Sequence, residues 1–287
     1  MKRSIARSDP DLREECRNLA GKCREAFGEA FDKSRPKAVR DNARRYAKNL
    51  EENLLDGITR QEIEQEFQAG AGKELESKML APWSSSALVV NSFAPWRRSP
   101  ATLRLAGLKG FTKPFEFEAQ CPNRVSRIPP HLDLLLGRGE EIVGVESKCI
   151  EFLTPKLQAV SPKYKAIEDA RATSRWFAAL DSVPEFLLLD AYQLIKHVLG
   201  LTHTYSERSL TLVYIYWEPD NAGEYSVFKK HREEVQNFSG LVEGDTMCSF
   251  RQITYPKHWT EQESATDQPA WIAQHIARLR QRYAINV

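Results

Sequence analysis

Asp133, Glu146 and Lys148 are the residues of this chain whose types and spacing could do chemistry: an acid, twelve intervening residues, then Glu146-Ser147-Lys148, all within an otherwise apolar stretch. The runs Leu132 to Leu136 and Ile142 to Val145, bounded by glycine and charge, have the composition of interior strands joined by a turn at Gly137 to Glu140. A carboxylate or ammonium in such strands is tolerated when it is paired or bound to a metal. Along a strand, side chains i and i+2 share a face, so Glu146 and Lys148 point one way and Ser147 the other. A hairpin closed at that turn sets Asp133 at about the level of Glu146, a register that a one-residue slip would undo. Two carboxylates and an amine gathered at one point suit metal-dependent phosphodiester hydrolysis. Hard oxygens bind Mg²⁺, and a lysine orients the attacking water and offsets charge building on phosphorus.

These residues resemble the PD-(D/E)XK nuclease superfamily, whose core motif is an Asp, a variable spacer and Glu-x-Lys. The chain departs from the motif's name in carrying Pro129-Pro130-His131-Leu132-Asp133 where Pro-Asp is expected. The flanks extend the resemblance to the restriction-endonuclease-like branch over about residues 70 to 260, through Gly72-Lys73-Glu74-Leu75-Glu76, Ser84 to Asn91, Phe117-Glu118-Ala119-Gln120 and Tyr214-Ile215-Tyr216-Trp217. The resemblance implies an α/β fold: a restriction-endonuclease-like mixed central sheet flanked by helices, with an N-terminal helical extension. It further implies a DNA endonuclease with Mg²⁺ as cofactor and Mn²⁺ as a substitute. Asp133, Glu146, the carbonyl of Ser147 and Glu74 would hold the metal, with Glu76 as the fallback for Glu74, and Lys148 would orient the water.

Ordinary readings stand beside these. An acid such as Glu74 is common in the first turn of a helix, where it meets unpaired N–H groups. Glu118 alternates with Phe115 and Phe117, so it either faces solvent or approaches the metal from outside. Gln193 and Lys196, three apart on a helix, present polar groups either to substrate or to water. The whole cluster could also belong to a nuclease fold that binds nucleic acid or assembles without cutting, or be a structural ion-pair group in an unrelated α/β enzyme.

The elements that must position these residues follow from periodicity. Leu12, Cys16, Leu19, Cys23 and Phe27 predict a helix over residues 10–31, and Ala43, Tyr46, Leu50 and Leu54 one over 36–68, with Pro36 at the break. Gly70 to Gly72 marks a boundary between an N-terminal helical region, 1–69, and a nuclease-like domain, 70–287. Beyond it we expect a helix at 73–80, a polar turn at Pro82 to Ser86, a strand from Ala87 to Asn91, and the hairpin. There follow helices near 164–179 and 188–199, the latter ended by Gly200, a strand at 209–217, a helix at 224–238, a strand including Phe250 to Tyr255 and a helix at 268–284. Strands alternating with helices argue a mixed sheet covered by helices.

Composition narrows the class. The chain has 287 residues, 41% hydrophobic and 28% charged, and contains no apolar run long enough for a membrane span. The Met1-Lys2-Arg3-Ser4 start lacks a secretory apolar stretch, which predicts a cytoplasmic protein. Five scattered cysteines without Cys-x-x-Cys spacing argue against a disulfide framework and a structural zinc site. A net charge of +2 does not by itself mark a nucleic-acid binder. Arg40, Arg44, Arg45 and Lys48 form a basic cluster that either meets phosphates or, the reading the composition favours, belongs to a solvated helix laced with ion pairs. Double-strand cutting uses paired sites, so a homodimer is an expected arrangement.

Overall fold

The computed structural model describes residues 10–41, 45–69, 74–127, 129–165, 174–266 and 268–287. Its centre is a five-stranded mixed sheet of β1 (Thr112–Gln120), β2 (His131–Arg138), β3 (Glu141–Lys148), β4 (Ser209–Tyr216) and β5 (Ser249–Thr254), in that spatial order. The first three strands run antiparallel and the last two join in parallel. The β2–β3 turn is two residues, with Arg138 opposite Glu141 and Gly139 at φ +58°, a backbone conformation that glycine adopts without a Cβ penalty. Parallel pairing requires crossovers, which carry α3 (Ala191–Thr204) and α4 (Ser226–Val242).

Each sheet face is apolar and covered. Leu134, Leu136, Val143, Val145, Val213 and Ile215 pack against α1 (Pro10–Ser34), α2 (Ser85–Phe93), α5 (Tyr255–Glu263) and α6 (Ala270–Tyr283). Leu135, Ile142, Leu212 and Tyr214 pack against Leu194, Val198 and Leu201 of α3 and Phe238 of α4. The N-terminal helix shares the first of these cores: Cys16, Leu19, Cys23 and Phe27 all pack there. The expected boundary at 70–72 lies outside the described residues.

Several elements differ from expectation. The segment expected as one helix over 36–68 is broken into Leu50–Asn53, a 3-10 turn at Arg60–Glu62 and Glu64–Ala69. Asn49 caps the first piece through Glu52 N (3.0 Å), Gly57 sits at φ +92°, and Thr59 with Glu62 forms a capping box, so three local signals restart the chain. The expected helix 73–80 is a pair of 3-10 turns, Glu74–Glu76 and Lys78–Leu80. The expected strand Ala87 to Asn91 is instead helix α2, started by Ser84, whose Oγ accepts from Ala87 N at 3.2 Å. Every residue from Ser86 to Phe93 is buried, which erases the periodicity that separates a buried helix from a strand. Gly200 lies inside α3 rather than ending it, because a Cβ there would meet the Cys121 carbonyl oxygen at 2.3 Å. Of the helix expected at 164–179, Pro162–Lys165 and Arg175–Ala178 are helical and 166–173 lie outside the described residues. Helix α5 follows β5 without a loop and was not expected from the pattern.

Three buried histidines make the core sensitive to acid. Burial drives His231 and His258 down to about 3 and His275 to about 4, from an ordinary 6.5. A histidine kept neutral by folding contributes stability in full above pH 6.5 and loses it as the pH falls towards the folded value. At pH 5 the loss reaches at most about 2 kcal/mol per histidine. Thermal melts should therefore show a clearly lower Tm at pH 5 than at pH 7; a flat profile across that range would mean that these side chains reach water before unfolding.

Candidate active site

Glu118, Asp133 and Glu146 stand in one row across three strands. Phe117 pairs with Leu134 and Ala119 with Leu132, which brackets Glu118 beside Asp133, while Leu134 pairs with Val145 at the last rung before Asp133 and Glu146. The β2–β3 ladder ends at that rung. The Ser147 N–H there donates to Asp133 Oδ2 at 2.6 Å, and the Ser147 side chain turns to the opposite face, where its Oγ lies 2.8 Å from the Tyr255 hydroxyl. Glu146 and Lys148 stand two residues apart on β3, and the Lys148 ammonium donates to Glu146 Oε1. The three expected residues thus meet at the open end of the hairpin, but Leu132 and Leu134 belong to opposite cores, so the alternation expected along β2 switches at Asp133.

Glu146 is the buried member. Its side chain is 2% exposed and that of Lys148 is 17%. The other Glu146 oxygen, Oε2, has His197 Nε2 of α3 at 2.8 Å, although the ring makes no aligned hydrogen bond. So short a nitrogen–oxygen approach is attractive when the nitrogen carries the proton. The sequence missed His197. Its signal was a polar residue set among Leu194, Ile195, Val198 and Leu201 on the apolar side of a helix, and spacing alone pairs it with no other ligand.

Charge follows this geometry. Burial opposes the ionisation of Glu146, yet Lys148 and His197 hold its carboxyl at about 2. Asp133 moves the other way: burial and the negative charge of Glu146 push it well above the ordinary carboxylate range, against the pull of Lys148. For Lys148 the loss of hydration is outweighed by Glu146 and Asp133, which raise its pKa. The cluster accordingly keeps one firm carboxylate, one firm ammonium and one carboxyl that lacks a full counter-charge.

Asp133 and Lys148 open onto a cleft of about 570 Å³ that is also lined by Glu74, Glu118, Glu151 and Gln193. Glu118 enters it through a backbone at φ +49°, uncommon for a residue with a Cβ. That kink breaks the expected alternation: Phe117 joins one core and Ala119 the other, leaving Glu118 at the switch with His131 Nδ1 3.5 Å away. Backbone strain of this kind concentrates at functional sites. Glu74 lies on a 3-10 turn and is held by Lys78 Nζ at 2.7 Å and Ser86 Oγ at 2.8 Å. Among the described residues, no three His, Cys, Asp or Glu side chains converge closely enough to cage a metal on their own. In the basic cluster, Arg40 pairs with Asp32 at 2.8 and 2.5 Å and Arg45 lies 3.7 Å from Glu25, while Arg44 lies outside the described residues.

Replacing His197 by Ala leaves Glu146 Oε2 buried without its neighbour and should destabilise the protein by about 1–3 kcal/mol. Gln, which can still donate to Glu146, should restore part of the loss. Thermal melts check both, and an unchanged Tm in H197A would show that the His197–Glu146 approach contributes nothing to the fold.

A five-stranded mixed sheet with helices on both faces, and an acid row at the splayed end of its central hairpin, defines a restriction-endonuclease-like α/β protein. The chain belongs to the family described as restriction endonuclease associating with ARP, whose match spans residues 17–284. No curated protein and no solved structure gives a significant match. Among the described residues, no helix is long and apolar enough to cross a membrane.

Proposed function

We propose that this protein is a metal-dependent DNA endonuclease that hydrolyses phosphodiester bonds at the Asp133 cleft. The observation carrying the reading is the convergence of Asp133, held by the Ser147 N–H, with the Glu146–Lys148 pair at the open end of the hairpin, where Asp133 and Lys148 line the cleft.

Mg²⁺ prefers oxygen, keeps several waters and needs only one or two carboxylates, and the Asp133 carboxyl at the cleft is an oxygen donor of that kind. Asp133 and Glu146 would hold it, with the Ser147 carbonyl and Glu74 as further oxygens, and Mn²⁺ would substitute. The elevated Asp133 carboxyl is a group that gains from a cation beside it. When bound, the ion would supply positive charge to a phosphate oxygen and acidify a water. The remaining work falls to the chain. Ser147 N–H fixes the Asp133 carboxylate, Glu146 and His197 together aim the Lys148 ammonium, and Lys148 orients the water and offsets charge on phosphorus.

The test is to incubate the full chain with supercoiled plasmid in Mg²⁺, Mn²⁺ or chelator, beside the Asp133→Ala protein. Nicking that needs metal and Asp133 is the expected result; equal nicking by D133A would end the assignment. We also propose that the protein associates with ARP, as the family description states, and co-purification of the two would test it.

A further inference from the structure

The same cleft has a wall of different chemistry. Tyr46 and Trp83 both line it, with ring centroids 5.7 Å apart and planes at 73°. Both rings stay partly exposed, although Trp83 also packs against the core. They are anchored by backbone bonds: Ala47 N to Leu80 O at 2.8 Å, Asp41 N to Tyr46 O at 2.8 Å and Ser84 N to Ala81 O at 3.0 Å. Exposed Arg24 and exposed Lys156, the latter 3.6 Å from Asp190, line the cleft as well. One hollow therefore offers aromatic faces and cations beside the carboxyl groups of Asp133, Glu74, Glu118 and Glu151.

An intact duplex makes poor use of such a wall. Its bases are stacked inside and offer only their edges in the grooves, while its outer surface is sugar and phosphate. A ring gains stacking energy from a base whose π-face is free, which an unpaired strand supplies at every nucleotide.

We propose that the cleft takes an unpaired DNA strand, with a base stacked on the Tyr46–Trp83 wall and the neighbouring phosphate directed towards Asp133 and Lys148. Arg24 and Lys156 then flank the backbone. This inference rests on the nuclease reading for the fate of the phosphate, but the stacking site stands apart from it and is tested separately.

The experiment measures fluorescence anisotropy of one oligonucleotide, single-stranded, as a blunt duplex and as a duplex with a single-stranded overhang, in chelator so that nothing is cut. Wild type should bind the single strand and the overhang at least about tenfold more tightly than the blunt duplex. Trp83→Ala should lose on the order of tenfold or more on the single strand and leave blunt-duplex binding nearly unchanged, with Trp83→Phe retaining most of the affinity. Should W83A fail to fold, Tyr46→Ala and W83F carry the comparison, with circular dichroism melts as the control for folding. Equal binding of all three DNAs, or equal losses on single strand and duplex, would overturn the proposal. Cleavage is scored in parallel with Mg²⁺. Trp83-dependent strand binding without cleavage would sink the nuclease reading alone, and cleavage indifferent to Trp83 and Tyr46 would sink the stacking proposal alone.

Discussion

Replacing Asp133 by Asn should abolish cleavage while making the protein more stable. Asn keeps an oxygen to accept the Ser147 N–H, so the splayed end of the hairpin retains its bond. What it loses is a carboxylate that burial and Glu146 make reluctant to ionise. An acid whose folded pKa lies above its unfolded value of 3.8 costs stability as the pH rises from that value to the raised one, and the full cost persists beyond. Removing the charge relieves it. We expect a gain of about 0.5–2 kcal/mol near neutral pH in chelator, the usual return from relaxing a functional site. Activity should fall on the order of 10³-fold or more, because a group that acts as part of a unit takes the unit's rate with it. Melts of wild type and D133N with and without Mg²⁺ give the check: the metal should raise the wild-type Tm and leave that of D133N almost unmoved. A less stable D133N in chelator would show that the carboxylate is well solvated or otherwise paired.

Changing Lys148 to Ala should cost far more in stability. The Glu146 side chain is almost wholly buried and Lys148 supplies the charge on one of its two oxygens. Stranding a buried carboxylate in this way costs about 3–5 kcal/mol. Glu146 also sits at about 2 in the folded protein against an ordinary 4.5, so it contributes stability present above 4.5 and lost as the pH falls towards 2. K148A should lose much of that contribution at neutral pH. The double variant E146Q/K148M should regain most of the Tm, since a buried ion pair replaced on both sides is often energetically neutral. Neither protein should cut DNA, which separates the ammonium's role in chemistry from its role in folding. A K148A protein within about 1 kcal/mol of wild type would identify the pair as solvent-screened.

How far the site could be read in advance varies residue by residue. The neighbourhood of Asp133 and Glu146-Ser147-Lys148 was legible as a hairpin of two apolar runs, but the turn is Gly139-Glu140 rather than the expected Gly137 to Glu140, and the switch of faces between Leu132 and Leu134 has no local signature. Glu118 was half legible. Its alternation with Phe115 and Phe117 gave the strand, but the positive φ that turns it into the cleft has no signature in its residue type. Glu74 lines the cleft, and while its i,i+4 pair with Lys78 is local, its bond to Ser86 depends on α2, which the apolar run Ala87 to Val90 disguised as a strand. His197 reaches Glu146 from 51 residues away in sequence, through a helix docked across the sheet, and no local pattern encodes that meeting.

By itself, the amino-acid sequence determined the β2–β3 hairpin and the alternation of strands and helices that makes a mixed sheet. These are short-range consequences of side-chain period and turn chemistry, fixed within a few residues. Only the tertiary structure decided which groups surround Asp133, Glu146 and Lys148: His197 behind Glu146, Glu118 and Glu74 in the cleft, and Tyr46 with Trp83 on its wall. Those neighbours come from separate elements brought together by burial of apolar surface, which is non-directional and leaves no periodic trace of which polar side chains it will set side by side.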